Sequence, residues 1–342
     1  MTENIIKVKR YSQKNQVAQE DLVIVPVIED ANPAVRKYRE LAWKNYSSKP
    51  IPDGTQDDWR RTSLKQIDFS SFKIVNPDEY QVDELPQHLD SPVSGANNAG
   101  FILMTPTSSR VNIAATLNEQ GVVFDTLSNL VETRPDLMEK VISSIDPDKL
   151  QKFSALAGVI GFDGIMLYVP KNINISLPLQ SIYWAPGSGY VHSLHIFIYL
   201  DEGSSVTYVH ESSSPKGETK DMLHSGLFEV YVGQGAHLNF VELQSWGENV
   251  LNFTRENVQV DRDGSIDWIF GALGSKLTKN YSDLNLIGKG ATGKMSGFYF
   301  TDNNQHLDHD TQQNHLAQHT TSDLLFKGAL LDQSRSVWQG MI

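Results

Sequence analysis

A glycine-marked turn recurs through the second half of the chain, and it restricts the fold more than any other feature. Each copy has a polar residue, a glycine and a small residue before a run of alternating apolar residues, as in Glu202-Gly-Ser-Ser-Val-Thr-Tyr208. A degenerate copy begins at Asp332. The marking glycines are 32, 29 and 26 residues apart: Gly203, Gly235, Gly264 and Gly290. A turn repeated at such a period, with no helical pattern between copies, predicts stacked β coils that cover one another's apolar edges.

The segments between these turns have the pattern of β-strands. From Gly161 onward, apolar residues alternate with a period of two and are rich in β-branched and aromatic types. The clearest strand segments are Ile165–Val169, Ser181–Trp184, Leu194–Leu200, Val206–Val209, Leu227–Val232 and Leu238–Val241. The strand pattern and the repeated turn are best explained by a mainly β fold built as a parallel β-helix. An antiparallel sandwich or barrel is the alternative, because periodicity does not reveal strand direction.

The first half of the chain has a mixed, partly helical pattern. Asn32-Pro33 is a helix N-cap followed by proline, and it predicts a helix over Ala34–Asn45. The segment Phe101–Phe124 is typical of two short strands. We therefore predict a helical or mixed N-terminal domain, residues 1–160, followed by a β-helix core, residues 161–342.

Composition excludes several functional classes. With 29 basic and 41 acidic residues, the net charge of −12 repels nucleic acid and anionic lipid. The basic group Lys7, Lys9, Arg10 and Lys14 is predicted to be a solvated tail. Neither a signal-peptide layout nor an apolar run of about 20 residues occurs, so we expect a cytoplasmic protein without a membrane span. The absence of cysteine excludes thiolate ligands from these 342 residues.

Four of the ten histidines lie close together near the end of the sequence: His306, His309, His315 and His319. If this segment is an irregular loop, His306, Asp308, His309 and His315 could converge, and imidazole with carboxylate suits zinc, iron or manganese. That arrangement would indicate a His/Asp metal-dependent enzyme on a β-helix or cupin-like barrel. No H-x-H or H-E-x-x-H spacing fixes a geometry, and His315 and His319 would lie about 13 Å apart along a strand. A structural polar ladder or interface is therefore preferred, and no catalytic, cofactor-binding or metal-ligating residue is assigned.

Two short motifs and a histidine pair are predicted to be structural. Gly288–Lys294 resembles a phosphate-binding loop, but Met295 replaces the required hydroxyl and a strand follows where a helix is needed. Asp261–Asp267 resembles a calcium loop with a shortened spacing, which indicates a tight turn. His192 and His195 are three apart in a strand and should point to opposite faces, one exposed and one hydrogen-bonded in the core.

Several segments resemble motifs of one protein family. The closing runs are His319-Thr-Thr-Ser322, Lys327-Gly-Ala-Leu-Leu-Asp332 and Ser336–Ile342. They are similar to the H-x-x-T/S-S, K-G-V-L-x-D and V-F-x-G-x-I runs of the SufB/SufD family of the SUF iron–sulfur cluster assembly system. Asp58-Trp-Arg-Arg-Thr62 is similar to the E-x-W-R-Y-T segment of SufD members, and Gly164–Pro170 is similar to the strand that opens the family's β-helix.

This resemblance implies a right-handed parallel β-helix preceded by a smaller helical or mixed N-terminal domain. It also implies a scaffold subunit, not an enzyme, that pairs with a SufB-like subunit through the β-helix and acts with the SufC-like ATPase. The iron–sulfur cluster would be assembled by the complex, with no cofactor bound by this chain alone. Family members continue beyond the last motif with further coils and ATPase-contacting helices. The chain is therefore expected to be truncated at Ile342, without the helices that contact SufC.

Overall fold

The computed structural model of the chain describes residues 32–76, 80, 85–89, 97–145 and 149–342. The basic group between residues 7 and 14 lies outside the described residues. Strands make up 47% of the structure and helices 19%, so the prediction of a mainly β protein is confirmed. A parallel β-solenoid of about six turns follows a smaller N-terminal region.

The N-terminal region contains five α-helices and four short strands among the described residues. In chain order they are α1 (Pro33–Ser48), β1 (Lys73–Ile74), β2 (Gly100–Met104), β3 (Ser109–Ile113), α2 (Ala115–Glu119), β4 (Val123–Thr126), α3 (Leu127–Thr133), α4 (Pro135–Ser144) and α5 (Lys152–Ile160). Helix α1 begins as predicted, because the Asn32 side chain accepts hydrogen bonds from the amides of Ala34 and Val35 at 2.9 and 3.3 Å.

Thirteen further strands form the coils of the β-helix. They are β5 (Gly164–Val169), β6 (Leu179–Trp184), β7 (Tyr190–Leu200), β8 (Ser205–Ser213), β9 (Met222–Val232), β10 (His237–Ser245), β11 (Val250–Val260), β12 (Ser265–Leu273), β13 (Leu277–Leu286), β14 (Thr292–Thr301), β15 (His306–His315), β16 (Thr321–Leu330) and β17 (Arg335–Met341). The odd-numbered strands from β5 to β17 form sheet 1, and the even-numbered strands from β6 to β16 form sheet 2. All neighbours within these two series are parallel, which settles the direction that periodicity left open.

Strands from the N-terminal region extend both sheets. Strand β2 pairs in parallel with β6 and antiparallel with β3, and β4 pairs antiparallel with β5. The segment Phe101–Phe124 therefore forms three strands, and the prediction of two is wrong. Local pattern does not reveal the pairings of β2 with β6 and of β4 with β5, since they join residues about 40 to 80 positions apart. The division at residue 160 stays a prediction.

The turns that lead from sheet 1 to sheet 2 stack in a column of left-handed residues. Their φ angles are 62°, 68°, 62°, 54°, 77° and 61° at Asn172, Gly203, Gly235, Asp263, Gly290 and His319. Neighbouring turns are hydrogen-bonded through the backbone, as from the amide of Gly203 to the carbonyl of Gln234 at 2.9 Å. Glycine and asparagine or aspartate suit this conformation because a larger β-carbon crowds the backbone there.

The structure corrects the repeat in two places. Asp263, not Gly264, takes the left-handed position, so the third copy is shifted by one residue. The copy at Asp332 lies at the opposite edge, where it joins β16 to β17 and stacks on the turn of Asn303. The motifs at 261–267 and 288–294 are turns followed by strands, as predicted.

Helices α1 and α5 cover the outer face of sheet 1. Their buried residues, such as Tyr38 and Leu156, share one apolar cluster with outward-facing residues of β7, β9 and β11, such as Phe197 and Phe253. The two helices are in close contact at Gly158, where a β-carbon would lie 2.7 Å from that of Ala42. A second apolar cluster fills the lumen between the two sheets.

Candidate functional site

The four C-terminal histidines are not brought together. The segment predicted as a possible loop is strand β15, so His306 and Asp308 point outward and His309 points into the lumen. His315 ends the strand and bonds to Thr320 and Ser322. Among the residues that the structure describes, no group of three or more His, Cys, Asp or Glu is arranged to hold a metal ion. The alternative of a converging loop therefore does not hold for these residues, because alternation along the strand places His309 on the face opposite His306 and Asp308.

His309 is a core histidine surrounded by aromatic rings. It is 1% exposed, and its ring centroid lies 5.2 Å from that of Phe270, 6.0 Å from Tyr299 and 6.3 Å from Phe326. Burial, with a smaller contribution from the charge of Lys279, lowers the pKa of His309 to about 3. The imidazole is therefore neutral at physiological pH.

The segment Asp58–Thr62 packs against the outer face of sheet 1. Trp59 is 4% exposed and lies beside the stacked rings of Phe153 and Phe253, with ring centroids 5.8 and 5.9 Å away. Three residues further on, the Thr62 hydroxyl donates a hydrogen bond to Asp308. This segment therefore joins the N-terminal region to β15 through one aromatic and one polar contact.

A buried ion cluster lies beneath this segment. Lys279 Nζ is 2.9 Å from Asp308 Oδ1 and 3.8 Å from Asp310 Oδ2, and the side chains of Lys279 and Asp308 are each 2% exposed. The same Nζ lies 4.8 Å from the ring centroid of Tyr281. Burial raises the pKa of Asp310 to about 6, although Lys279 acts in the opposite direction. Lys279 was not predicted from the sequence. Its position on the outward face of a strand is the only feature that could have indicated it, and that position is typical of an exposed lysine.

Two carboxyl groups are buried together inside the lumen. Glu256 accepts hydrogen bonds from Asn280 Nδ2 at 3.1 Å and Ser282 Oγ at 2.6 Å. Burial and the charge of Glu256 raise the pKa of Glu242 well above its usual value. Burial raises the pKa of Glu256 to about 7 despite its hydrogen bonds. The pair therefore retains a proton at neutral pH, because two buried like charges cannot both ionise without a large cost.

A chain of amide and imidazole groups continues across the lumen. Asn252 accepts a hydrogen bond from His224 Nδ1 at 2.8 Å and donates one to Gln244 Oε1 at 2.9 Å. Thr278 also donates to Gln244, at 3.3 Å. Burial lowers the pKa of His224 to about 4, so this chain is uncharged. It joins β9, β10, β11 and β13 by side-chain hydrogen bonds.

His192 and His195 point to opposite faces of β7, as predicted. His192 bonds to Tyr183 in the lumen, and His195 Nε2 lies 2.9 Å from the hydroxyl of Tyr38 on α1. The prediction that one of them is exposed is wrong, since α1 covers the outward face. Burial lowers their pKa values to about 3 and about 4.

Comparison with known proteins places this architecture in a family. Residues 25–181 match the model of the SufBD protein N-terminal region, and residues 183–342 match the SufBD core domain of SUF system FeS cluster assembly. The chain belongs to the SufBD family. The core match covers β7 to β17, and the N-terminal match covers the described helices and β1 to β5. Members of this family take part in iron–sulfur cluster assembly.

Curated relatives of this SufBD protein come from staphylococci. An iron–sulfur cluster assembly SufBD family protein of Staphylococcus saprophyticus is 28% identical over 318 residues, which cover 89% of this chain and 67% of the relative. The Staphylococcus haemolyticus protein is 29% identical over the same shares. A Staphylococcus aureus protein is 30% identical over 68% of this chain and 50% of its own. The chain thus spans between half and two thirds of these relatives. No helix in the described part is long and apolar enough to cross a membrane.

Proposed function

We propose that this SufBD protein is a SufD-type scaffold subunit of a SUF complex. It pairs with a SufB-like subunit through the β-helix and acts with a SufC-like ATPase while the complex assembles an iron–sulfur cluster. Family membership supports the general role. Support for the SufD type comes from Asp58–Thr62, which has the SufD-like pattern and is packed onto the β-helix.

The absence of cysteine is the single observation that carries the proposed division of labour. Protein-bound iron–sulfur clusters are held mainly by cysteine thiolates. These 342 residues contain none, and His306 and His309 lie on different faces of β15. In this proposal these residues contribute shape and contacts, and the thiolate ligands of a nascent cluster lie outside them.

Co-expression of the full-length chain with the SufB-like and SufC-like proteins of the same organism tests the proposal. We expect all three to co-elute on size-exclusion chromatography, with SufB joining this chain when SufC is omitted. The assignment would be overturned if the full-length protein does not co-elute with SufB either in the presence or in the absence of SufC.

We further propose that the chain has no catalytic reaction of its own. Metal analysis of the purified protein distinguishes this proposal from the alternative of a His/Asp metal-dependent enzyme. We expect less than one metal ion per chain, unchanged in His309→Ala and His315→Ala. Stoichiometric metal that either substitution removes would favour the enzyme instead.

A further inference from the structure

A cleft of about 760 Å³ lies between the segment 54–67 and the outer face of sheet 1. Its floor is a row of residues placed side by side by strand register. Leu251 of β11 pairs with Leu277 of β13, Leu277 with His306 of β15, and His306 with Arg335 of β17. The opposite wall is formed by the residues around Trp59. The volume is within the usual range of about 300–1,000 Å³ for small-molecule sites.

The cleft is basic although the protein is acidic. Five cationic side chains line it: Arg60, Arg61, Lys65, Lys276 and Arg335. Within the described ranges, no aspartate or glutamate lines this cleft. The whole chain carries a net charge of −12, so this grouping concentrates positive charge at one place.

Two of these cations have carboxylate neighbours: Lys276 contacts both oxygens of Asp221, whose side chain is 26% exposed, and Arg60 lies near the exposed Asp57. Lys276 Nζ lies 2.8 Å from Asp221, and Arg60 lies 4.0 Å from Asp57, whose side chain is 94% exposed. The Arg60–Asp57 pair is exposed and therefore weak, whereas Lys276 has to share its charge between Asp221 and a bound anion. In the part of the chain that the structure describes, Arg61, Lys65 and Arg335 have no carboxylate within ion-pair distance.

The side chains suit phosphate in particular. A guanidinium group presents two parallel N–H donors that match two phosphate oxygens, and ammonium groups add point charge. His306 lies among these cations, and its Nε2 is 3.1 Å from Thr62 Oγ1. Leu251 and Leu277 form an apolar floor beneath the charges. The cleft therefore combines an anion-binding rim with a surface for the uncharged part of a ligand.

We propose that this cleft binds a small anion that carries two or more phosphate groups, such as pyrophosphate or a nucleoside diphosphate. A small anion is preferred to an acidic protein because the surface outside the cleft is negatively charged. The field of an acidic surface reaches roughly 8 Å at physiological ionic strength, and it repels a large acidic partner. A ligand that fits inside the cleft interacts mainly with the five cations.

Isothermal titration of the full-length chain with inorganic pyrophosphate at low ionic strength tests the site. We expect saturable binding that weakens about tenfold or more in Arg61→Gln/Arg335→Gln, since two charge-assisted contacts are lost. Arg262→Gln is the matched control, because Arg262 is exposed in a turn outside the cleft, and it should leave binding unchanged. Unfolding midpoints of all variants should agree, as these side chains are exposed.

A second readout comes from His306. Burial is the main cause that lowers its pKa. The charge of Asp308 acts in the opposite direction, and Arg335 and Lys279 lower the pKa further, so an anion bound near Arg335 should raise it. Histidine NMR titration with and without pyrophosphate measures this change. The proposal is overturned by no saturable binding, by equal binding in the double variant, or by an unchanged His306 pKa. Binding of an acidic peptide but not of pyrophosphate would overturn it in favour of a protein partner.

Discussion

Lys279 and Asp308 face each other in register on β13 and β15, with 2.9 Å between Nζ and Oδ1. Both side chains are almost fully buried beneath Thr62 and Trp59. A buried ion pair adds little net stability compared with apolar residues, but removal of one partner leaves an uncompensated charge. The ion pair also contacts the N-terminal region, through the hydrogen bond from Thr62 to Asp308 and the ring of Trp59.

Substitution of Lys279 by methionine should lower the free energy of unfolding by about 3–5 kcal/mol at pH 7. Asp308 and Asp310 would then lie buried without their cation. Because Asp310 has a folded pKa raised to about 6, protonation relieves part of this repulsion, and the deficit should shrink between pH 7 and 5. Urea unfolding at several pH values measures both effects.

The matched control is Lys276→Met, since Lys276 is 52% exposed and pairs with Asp221 at the surface. It should cost less than about 1 kcal/mol. Equal losses for the two lysine variants would contradict the role given to Lys279.

The lumen pair Glu242 and Glu256 predicts a stability that falls as pH rises. Both folded pKa values lie above the unfolded value of 4.5, so the native state holds protons that the unfolded chain releases. The loss of folding stability begins above pH 4.5, where the unfolded chain releases its protons. For Glu256 this loss is complete above about pH 7, where the folded protein has also released its proton. Each retained proton contributes a slope of about 1.4 kcal/mol per pH unit.

Glu242→Gln imitates the protonated acid. It should therefore remove the contribution of one retained proton to the pH dependence of the unfolding free energy. The variant should therefore gain stability relative to the parent protein as pH rises from 5 to 8. Urea midpoints across this range measure the difference, with the exposed Glu248→Gln as control. Parallel curves for the parent and Glu242→Gln would show that the pair does not share a proton.

Trp59→Ala should destabilise the protein by about 3–5 kcal/mol, because it leaves a cavity beside the stacked rings of Phe153 and Phe253. Trp338→Ala provides the comparison, since Trp338 is 45% exposed and should cost much less. Thermal unfolding of the two variants measures the difference. Similar midpoints would mean that Trp59 does not anchor the N-terminal region.

Gly235→Ala isolates the cost of the left-handed turn. Its φ is +62° and a β-carbon there would meet nothing within 4 Å, so only backbone strain of about 1–2 kcal/mol is added. Gly54→Ala is the matched control, with equally open space and no positive φ, and it should be neutral or slightly stabilising. Unfolding free energies that fail to separate the two variants would contradict the role of the turn column.

Much of the fold could be predicted from local pattern. The N-cap at Asn32, the strand segments and the spacing of Gly203 and Gly235 all act over a few residues, and the structure confirms them. The shift from Gly264 to Asp263 was missed because both glycine and aspartate tolerate a left-handed backbone. The third strand of the segment between 100 and 126, β4, was missed because its partner β5 lies about 40 residues further along the chain.

The candidate site could not be predicted in the same way. If the segment is a strand, alternation implies that His306 and His309 face opposite sides. The residue types alone, however, were as compatible with a loop as with a strand. The contacts of Lys279 with Asp308, and of Thr62 with Asp308, join positions 29 and 246 residues apart. No local signal encodes such distances.

The sequence by itself determined the β coils, their period, the absence of thiolates and the resemblance to the SufB/SufD family. Only the tertiary structure decided which side chains meet: Glu242 with Glu256 in the lumen, and Arg61 with Arg335 around one cleft. The physical reason is that a period of two assigns each residue to a face, whereas strand register and the packed helices decide which faces are buried and which neighbours they touch.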